Sequence, residues 1–237
     1  MSINSVLIDL LFPPLCLSCN SFGEFFCKTC RQKIKANRET ICPICLQTTH
    51  EGIRHQKCRG IVNGLVSAWE YDGVIQTAIK EVKYRYYYAA FDSLITYNLS
   101  FYTKQKQKLF FKFLQSSPIV IPVPLHPKRQ RLRGFNQAAI IGKAIAKSWQ
   151  LRFSDKIIER IINTRPQAEL NKQQRLQNMT KVFSPSKYVN KLGDKPLAEI
   201  TCLVVDDVWT TGTTVTACAQ VLRELGCQNI WAFTLAR

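Results

Sequence analysis

Residues 203–214 read Leu-Val-Val-Asp-Asp-Val-Trp-Thr-Thr-Gly-Thr-Thr, and this is the most informative stretch of the sequence. The continuous apolar residues up to Val205 predict a strand buried on both faces, as in a parallel sheet. The helical spacing of apolar residues from Val215 to Leu225 predicts that a helix follows the Thr/Gly turn directly. Backbone N–H groups of the turn and of the helix N-terminus would then converge, which predicts an anion-binding cradle.

Apolar runs alternate with helical patterns from about residue 65 onward. Strands are predicted at 65–69, 119–123, 157–161, 202–205 and 230–235, and helices at 72–82, 91–101, 134–149 and 215–225. A polar helix or mobile loop is predicted at 167–178, and a loop at 181–197. This alternation predicts an α/β domain with a mainly parallel sheet flanked by helices.

Seven of the ten cysteines precede residue 60, and most of them form pairs separated by two residues. Two such pairs can complete one tetrahedral zinc site. The predicted ligands of two sites are Cys16, Cys19, Cys27, Cys30, Cys42, Cys45, His55 and Cys58. The simplest assignment is sequential, so that neighbouring pairs share a metal. The spacing also allows a cross-braced arrangement in which the first pair joins the third and the second joins the fourth. His50 is an alternative to His55.

A disulfide framework is the competing interpretation of these pairs. Residues 5–15 are too short and lack the basic start of a secretory signal, and no apolar run is long enough to span a membrane. A soluble, cytoplasmic protein is therefore expected, in which structural zinc is favoured over disulfides. The predicted division is a zinc module at 1–60 and an α/β domain at 61–237. Three further cysteines, Cys202, Cys218 and Cys227, are predicted to fill the core.

The formal charge of +17 is concentrated in one part of the chain. Residues 118–200 hold 16 basic and five acidic side chains. A field of this size attracts polyanions or steers phosphorylated ligands into a cleft. The hydrophobic fraction of 46% excludes wholesale disorder, because it is enough to build a core.

Four of these basic residues fall within six positions, namely Lys128, Arg129, Arg131 and Arg133. We interpret 128–133 as a basic loop that clamps either pyrophosphate or a nucleic-acid backbone, and a solvated loop is the alternative. Aromatic and basic residues also interleave at 83–88, a pattern typical of single-strand binding proteins. Ordinary helix packing explains that pattern equally well.

The stretch 203–214 resembles the phosphoribosyl pyrophosphate (PRPP) signature of type I phosphoribosyltransferases, in which an apolar strand precedes Asp-Asp and Thr-Thr-Gly-x-Thr. The resemblance implies a type I phosphoribosyltransferase-like fold in which Asp206 and Asp207 engage the ribose hydroxyls. It implies that Mg²⁺ arrives with the pyrophosphate. The residues that would hold the 5′-phosphate are Thr210, Thr211, Gly212, Thr213 and Thr214.

The chain as a whole resembles the ComF family of competence proteins. The resemblance rests on the N-terminal double zinc ribbon, Pro-Val-Pro-Leu-His at 122–126, Arg-Gly-Phe-Asn-Gln at 133–137 and Thr-Leu-Ala-Arg at 234–237. A further segment carries Arg165 and Arg175. His55 stands where the family more often has cysteine. Candidates for binding pyrophosphate or DNA therefore also include Asn136, Gln137, Arg165 and Arg175.

This resemblance implies a cytoplasmic factor for natural transformation that handles incoming single-stranded DNA. Its expected partners are single-stranded DNA, PRPP or a related phosphorylated ribose, and DNA-translocation or recombination proteins. The alternative is an active phosphoribosyltransferase with an unknown acceptor, in which a cation such as Arg133 holds the departing pyrophosphate. The sequence identifies no catalytic residue, and the fold by itself does not establish catalysis.

Overall fold

The computed structural model describes residues 13–85, 107–163, 182–189 and 200–237. Its strands are β1 Gly64–Trp69, β2 Ile119–Pro122, β3 Arg152–Phe153, β4 Ile158–Arg160, β5 Phe183–Pro185, β6 Cys202–Val208 and β7 Ile230–Ala236. Its helices are α1 Lys28–Gln32, α2 Gly73–Arg85, α3 Lys108–Gln115, α4 Pro127–Arg133, α5 Gln137–Ser148 and α6 Thr213–Glu224. A short 3₁₀ turn covers His50–Gly52.

The main sheet has five strands in the order β1-β7-β6-β2-β3, and every pairing in it is parallel. The remaining two strands, β4 and β5, form a separate antiparallel pair. The predicted α/β architecture with a mainly parallel sheet is therefore confirmed.

The sheet is buried on both faces, as its apolar strands predict. Every residue of β7 is buried, and so are the first four residues of β6. An aromatic group fills one face, where Phe110 lies 5.6 Å from Trp231 and Trp149 lies 5.8 Å from Phe233 between ring centroids. The opposite face packs against α6, through side chains such as Leu222.

The chain reverses its direction of travel across the sheet between β2 and β6. The segment β2-α5-β3 proceeds toward one edge of the sheet, whereas β6-α6-β7 proceeds toward the other. The two central strands are directly paired, and the Val123 N–H donates to the Val205 carbonyl at 2.9 Å. Such a topological switch point opens a crevice at the carboxyl ends of the strands, which is where ligands bind in open α/β sheets.

The predicted basic loop at 128–133 is wrong, because these residues form the helix α4. Pro127 occupies the first turn, and the His126 ring accepts a hydrogen bond from the Lys128 N–H through Nδ1 at 3.2 Å. Gly134 ends the helix with a left-handed φ of 72°. The next helix consequently begins at Gln137 rather than at residue 134.

Other boundaries differ in smaller ways from the predictions. The central strand continues to Val208, three residues beyond the predicted end. The predicted loop at 181–197 contains the strand β5. The predicted elements at 91–101 and 167–178 lie outside the described residues.

The N-terminal module is joined to the first strand of the sheet. Ala36 and Trp69 form an antiparallel bridge, and the Asn37 N–H donates to the Ala68 carbonyl at 3.0 Å. The Arg237 guanidinium also donates to the Asn37 side-chain oxygen at 3.2 Å. The module therefore contacts both the first strand and the last residue of the chain. A domain division at residue 60 stays a prediction.

Candidate functional site

Two clusters of metal-ligating side chains lie in the N-terminal module. The first comprises Cys16, Cys19, Cys27 and Cys30, and the second comprises Cys42, Cys45, His55 and Cys58. The ligand atoms lie within 4.8 Å of one another in each cluster. The Sγ atoms of Cys19 and Cys27 are 3.7 Å apart, and Cys45 Sγ lies 3.3 Å from His55 Nδ1. Thiolates bound tetrahedrally to zinc at about 2.3 Å lie about 3.8 Å apart, so these donors fit zinc.

The clusters settle how the pairs combine. Neighbouring pairs share a cluster, so the cross-braced alternative is wrong. His50 is not a ligand either, because its side chain is exposed and its Nε2 lies 3.3 Å from Glu51 Oε1. The thiols are free, and they gather as a group of four and as a group of three with His55 instead of forming disulfide bonds. With four protein ligands, each site is closed to substrate, and its chemistry is structural.

The thiols of a cluster differ in how easily they ionise. Hydrogen bonds from Ser21 lower the pKa of Cys19 to about 6, whereas burial raises the pKa of Cys30 to about 12. In the second cluster, burial raises the pKa of Cys58 to about 11. A bound divalent cation would stabilise the thiolate forms of Cys30 and Cys58, because zinc displaces the protons of its cysteine ligands when it binds.

Adjacent carboxylates occupy the end of the central strand. Asp206 and Asp207 are half-buried, and each accepts a hydrogen bond through Oδ1 from the N–H of the residue that follows it. These distances are 2.9 Å and 2.8 Å. Thr234 on β7 is the register partner of Asp206. The strand thus delivers both acids to the switch point.

The turn after β6 connects these acids to the N-terminus of α6. Gly212 caps the helix with a φ of 72°, and its carbonyl accepts from the Thr216 N–H at 2.8 Å. The hydroxyls of Thr211 and Thr213 lie 2.7 Å apart. Trp209 closes the turn from beneath with only 2% of its surface exposed. The strand leads through a glycine turn into a helix, as the sequence predicted, and anion binding at this turn stays a prediction.

The opposite wall of the crevice is the segment after β2. Asn136 caps α5, because its Oδ1 accepts from the Ala138 N–H at 3.1 Å while its Nδ2 donates to the Val123 carbonyl at 2.9 Å. Gln137 follows and is 4% exposed. Among the described residues its Nε2 has no hydrogen-bond partner. Gln137 shares a helical face with Ile141, and α5 packs on β2 and β6.

The basic helix α4 lies beside this wall and has two kinds of cation. Arg129 and Arg133, four residues apart, are half-buried, whereas Lys128 and Arg131 are exposed. Partial burial, followed by the charges of Lys128 and other cations, lowers the pKa of His126. The helix therefore turns one pair of cations toward the protein and the other pair toward solvent.

Arg160, at the end of β4, is a residue that sequence reasoning missed. It is 7% exposed, and its guanidinium interacts electrostatically with Arg129, Asp206 and His126. The hairpin thus supplies a cation that interacts with the basic helix α4 and with the acidic end of β6. A single arginine at the end of a short strand has no local signature that could have identified it. The predicted site residues Arg165 and Arg175 lie outside the described residues.

The three cysteines of the α/β domain are completely buried, so their predicted place in the core is confirmed. Cys202 and Cys227 are neighbours, with their Sγ atoms 3.2 Å apart. A cavity of about 460 Å³ lies beside α5, and its lining includes Pro122, Asn136, Lys143 and Asp155.

The fold and the two ligand clusters define a class of protein, a double zinc ribbon followed by a mainly parallel α/β sheet. Residues 7–60 match the family described as the double zinc ribbon domain. Over 118 residues the chain is 34% identical to Competence protein F of Haemophilus influenzae, and the alignment covers 50% of this chain and 49% of that protein.

Two longer alignments cover most of the chain. The chain is 25% identical to the DNA utilization protein YhgH of Escherichia coli O6:H1, over 96% of its length and 99% of that protein. It is 24% identical to Competence protein ComFC of Bacillus subtilis, over 90% of its length and 85% of that protein. Together with the double zinc ribbon match, these similarities support a protein of the ComF family. None of the helices in the described part of the chain has the length and apolar character needed to cross a membrane.

Proposed function

We propose that this chain is a cytoplasmic competence factor that handles incoming single-stranded DNA during natural transformation. In this proposal the α/β domain, residues 61–237, is phosphoribosyltransferase-like and binds PRPP or a related phosphorylated ribose. The pairing of Val123 with Val205 carries the proposal, because it sets the acidic strand end and the segment leading to α4 against each other. The names of the relatives, competence and DNA utilization proteins, support the biological assignment.

The small-ligand site is the crevice between β2 and β6. Asp206 and Asp207 would accept hydrogen bonds from ribose hydroxyls, and the 210–214 turn would bind the 5′-phosphate through its N–H groups and hydroxyls. Helices α5 and α6 both begin at this end of the sheet, so their positive dipole ends favour an anion between them. Mg²⁺ would neutralise the pyrophosphate of PRPP and approach these two carboxylates.

The DNA-binding surface is the solvent side of α4. Lys128 and Arg131 are exposed there, and Leu132 beside them is 79% exposed. Exposed cations that track phosphates give sequence-independent binding to single strands. Arg129 and Arg133, which are half-buried on the other side of the helix, serve the crevice. The two ligands would therefore share one helix without competing for the same side chains.

Fluorescence anisotropy with a labelled oligothymidylate tests the DNA assignment. The double variant Lys128→Gln/Arg131→Gln should bind more weakly and should reduce the slope of log affinity against log salt by about 1.4, since each phosphate contact contributes about 0.7. The control is Lys108→Gln/Lys112→Gln, which removes two exposed cations from α3. This helix precedes β2 in the chain, whereas α4 follows β2. An equal loss in both variants would contradict a surface on α4.

Transformation assays test the biological role. A strain carrying Asp206→Asn/Asp207→Asn should take DNA into the cell envelope normally and yield fewer transformants. Loss of uptake itself would assign the protein to an earlier step, and normal transformation would remove the site from the function.

Phosphoribosyl transfer from PRPP to an acceptor is the second candidate function. The observation that favours it is the adjacency of paired carboxylates and an anion-binding turn at one switch point. As pyrophosphate departs, positive charge would develop on the sugar and negative charge on the leaving group. A cation such as Arg133 would stabilise the negative charge on the pyrophosphate. Pyrophosphate release from PRPP in the presence of Mg²⁺ distinguishes this reaction from binding alone.

A further inference from the structure

The cavity of about 460 Å³ beside α5 lies where β2 ends. Its size is that of a small-ligand site. Asp155, which follows β3, lines one side of it, and β3 is the neighbour of β2 on the side away from β6. No residue of 206–214, all of which the structure describes, belongs to the lining. The cavity therefore belongs to the β3 side of β2, whereas Asp206 and the 210–214 turn belong to the β6 side.

Rings form part of the lining of this cavity. Two of the lining residues, Pro122 and Phe135, are buried, so the cavity reaches into the packed part of the domain. Proline and phenylalanine rings offer flat apolar faces, and planar groups such as nucleobases stack on aromatic faces. The apolar lining residues are Pro122, Pro124, Leu125, Phe135, Ala139 and Ile140.

The cavity also carries charged side chains of both signs. Lys143 and Asp155 are exposed lining residues, and neither forms an ion pair with a residue that the structure describes. The Lys143 ammonium instead lies 5.6 Å from the ring centroid of Phe153. An ammonium donor and a carboxylate acceptor that do not neutralise each other match a ligand with both acceptors and donors on its edge.

Gln130 connects the cavity to the basic helix α4. It lines the cavity, and it lies between Lys128 and Arg131 in the sequence of that helix. All three side chains are exposed. A DNA strand whose phosphates contact the two cations therefore brings its bases next to the cavity. Single-strand binding proteins combine charge that tracks the backbone with surfaces that take up bases.

We propose that this cavity binds one unpaired base of a single DNA strand whose phosphates contact α4. This inference rests on the proposed function, because it adds a base-binding site to the DNA-binding surface of that helix. The rings of the lining contact the faces of the base, while Lys143 donates to an acceptor on its edge and Asp155 accepts from an N–H group. Every nucleobase has donors and acceptors on its edge, so the site takes any base and binding stays independent of sequence.

Fluorescence anisotropy on the full chain tests this site with two labelled strands. Oligothymidylate and an abasic strand of equal length carry the same phosphates, so the difference in their affinities measures the contribution of the bases. Native protein should bind oligothymidylate about 5- to 100-fold more tightly than the abasic strand, the range expected from base stacking. The slopes of log affinity against log salt should agree, because the phosphate contacts are the same.

Three variants test whether the preference for bases arises in the cavity. Ala139→Phe fills the cavity, and Lys143→Gln removes the ammonium donor. Each should reduce the preference for oligothymidylate about 3- to 10-fold, the loss expected for one hydrogen bond or more. Lys147→Gln is the matched control for Lys143→Gln, because Lys147 is exposed one turn further along α5 and is not a lining residue. This control should keep the native preference.

The outcomes separate the base site from the proposed function. Native protein that binds both strands equally overturns the base site and leaves the DNA-binding surface of α4 standing. Native protein that binds neither strand overturns both. Equal losses in Lys143→Gln and Lys147→Gln would assign the effect to charge alone and contradict the cavity. If Ala139→Phe fails to fold, the comparison of the two lysine variants decides.

Discussion

The indole ring of Trp209 packs directly against Gly212, so closely that a Cβ atom on the glycine would lie 2.2 Å from Cζ2 of the ring. Gly212 also has a φ of 72°, which side chains rarely adopt. The conformation of the turn that precedes α6 therefore depends on Gly212 for two reasons, its positive φ and the lack of room for a Cβ atom. Neither the ring nor the helix can move easily, because Trp209 is buried and its backbone N–H donates to the Ala236 carbonyl at 2.9 Å.

Substitution Gly212→Ala should lower the free energy of unfolding by about 1–3 kcal/mol more than Gly73→Ala does. Gly73 is the matched control because it has a positive φ of 44°, yet a Cβ there meets nothing within 4 Å. The difference between the variants therefore isolates the clash with Trp209. Urea unfolding monitored by tryptophan fluorescence measures both. Equal destabilisation would contradict the tight packing of the turn.

Zinc content should distinguish the two histidines of the N-terminal module. Native protein should contain two zinc ions per chain, as the two four-ligand clusters require. His55→Gln should retain one, while His50→Gln, which alters an exposed side chain outside both clusters, should retain two. His55→Cys should also retain two, because a thiolate replaces the imidazole. Elemental analysis checks these ratios, and a folded, metal-free native chain would refute both sites.

The parallel sheet and the zinc ligands could be predicted from sequence because both have local signatures. A run such as 202–205 indicates a buried strand, and paired cysteines indicate metal. Spacing makes the sequential combination of the pairs the simplest one but also allows cross-bracing, since the choice depends on how the chain folds back between the pairs. The helix α4 was missed because none of its residues is buried, so no apolar periodicity marks it. Its remaining signal was Pro127 in the first turn.

The candidate site was predicted in part. The acids and the Thr/Gly turn are contiguous in sequence, so a motif predicts them together. Arg160 lies more than 40 residues before Asp206, and it joins that region only because the hairpin docks on α6. Asn136 was predicted as a ligand residue, and its hydrogen bonds to Val123 and Ala138 reveal a capping role that spacing alone does not indicate.

Asn136 should matter for stability through these two bonds. Asn136→Ala removes the N-cap of α5 and the donor to the Val123 carbonyl, and it should cost about 1–2 kcal/mol of unfolding free energy. Asn136→Asp keeps an oxygen that caps the helix but loses the donor, so it should cost less. Thermal unfolding of the two variants measures the order. A larger loss in Asn136→Asp would indicate that the bond to Val123, or the added charge near the carboxyl end of β2, dominates over the cap.

The pH dependence of stability should report the environment of His126. Partial burial and the neighbouring charges, Lys128 first among them, lower its pKa in the folded chain, whereas the unfolded chain has the ordinary value of about 6.5. Below that value the unfolded chain therefore takes up more protons than the folded chain, so the free energy of unfolding decreases as the pH is lowered. The contribution of His126 to stability is fully present above the unfolded pKa and is lost as the pH drops through the lowered folded pKa.

His126→Asn removes the titration while Asn can still cap α4 by accepting from the Lys128 N–H. The unfolding temperature of native protein, relative to that of His126→Asn, should decline between about pH 7.5 and about pH 5.5. Loss of zinc in acid is common to both proteins, so the difference between them isolates the imidazole. A difference that is constant or grows on acidification would mean that His126 is not in the field of these cations.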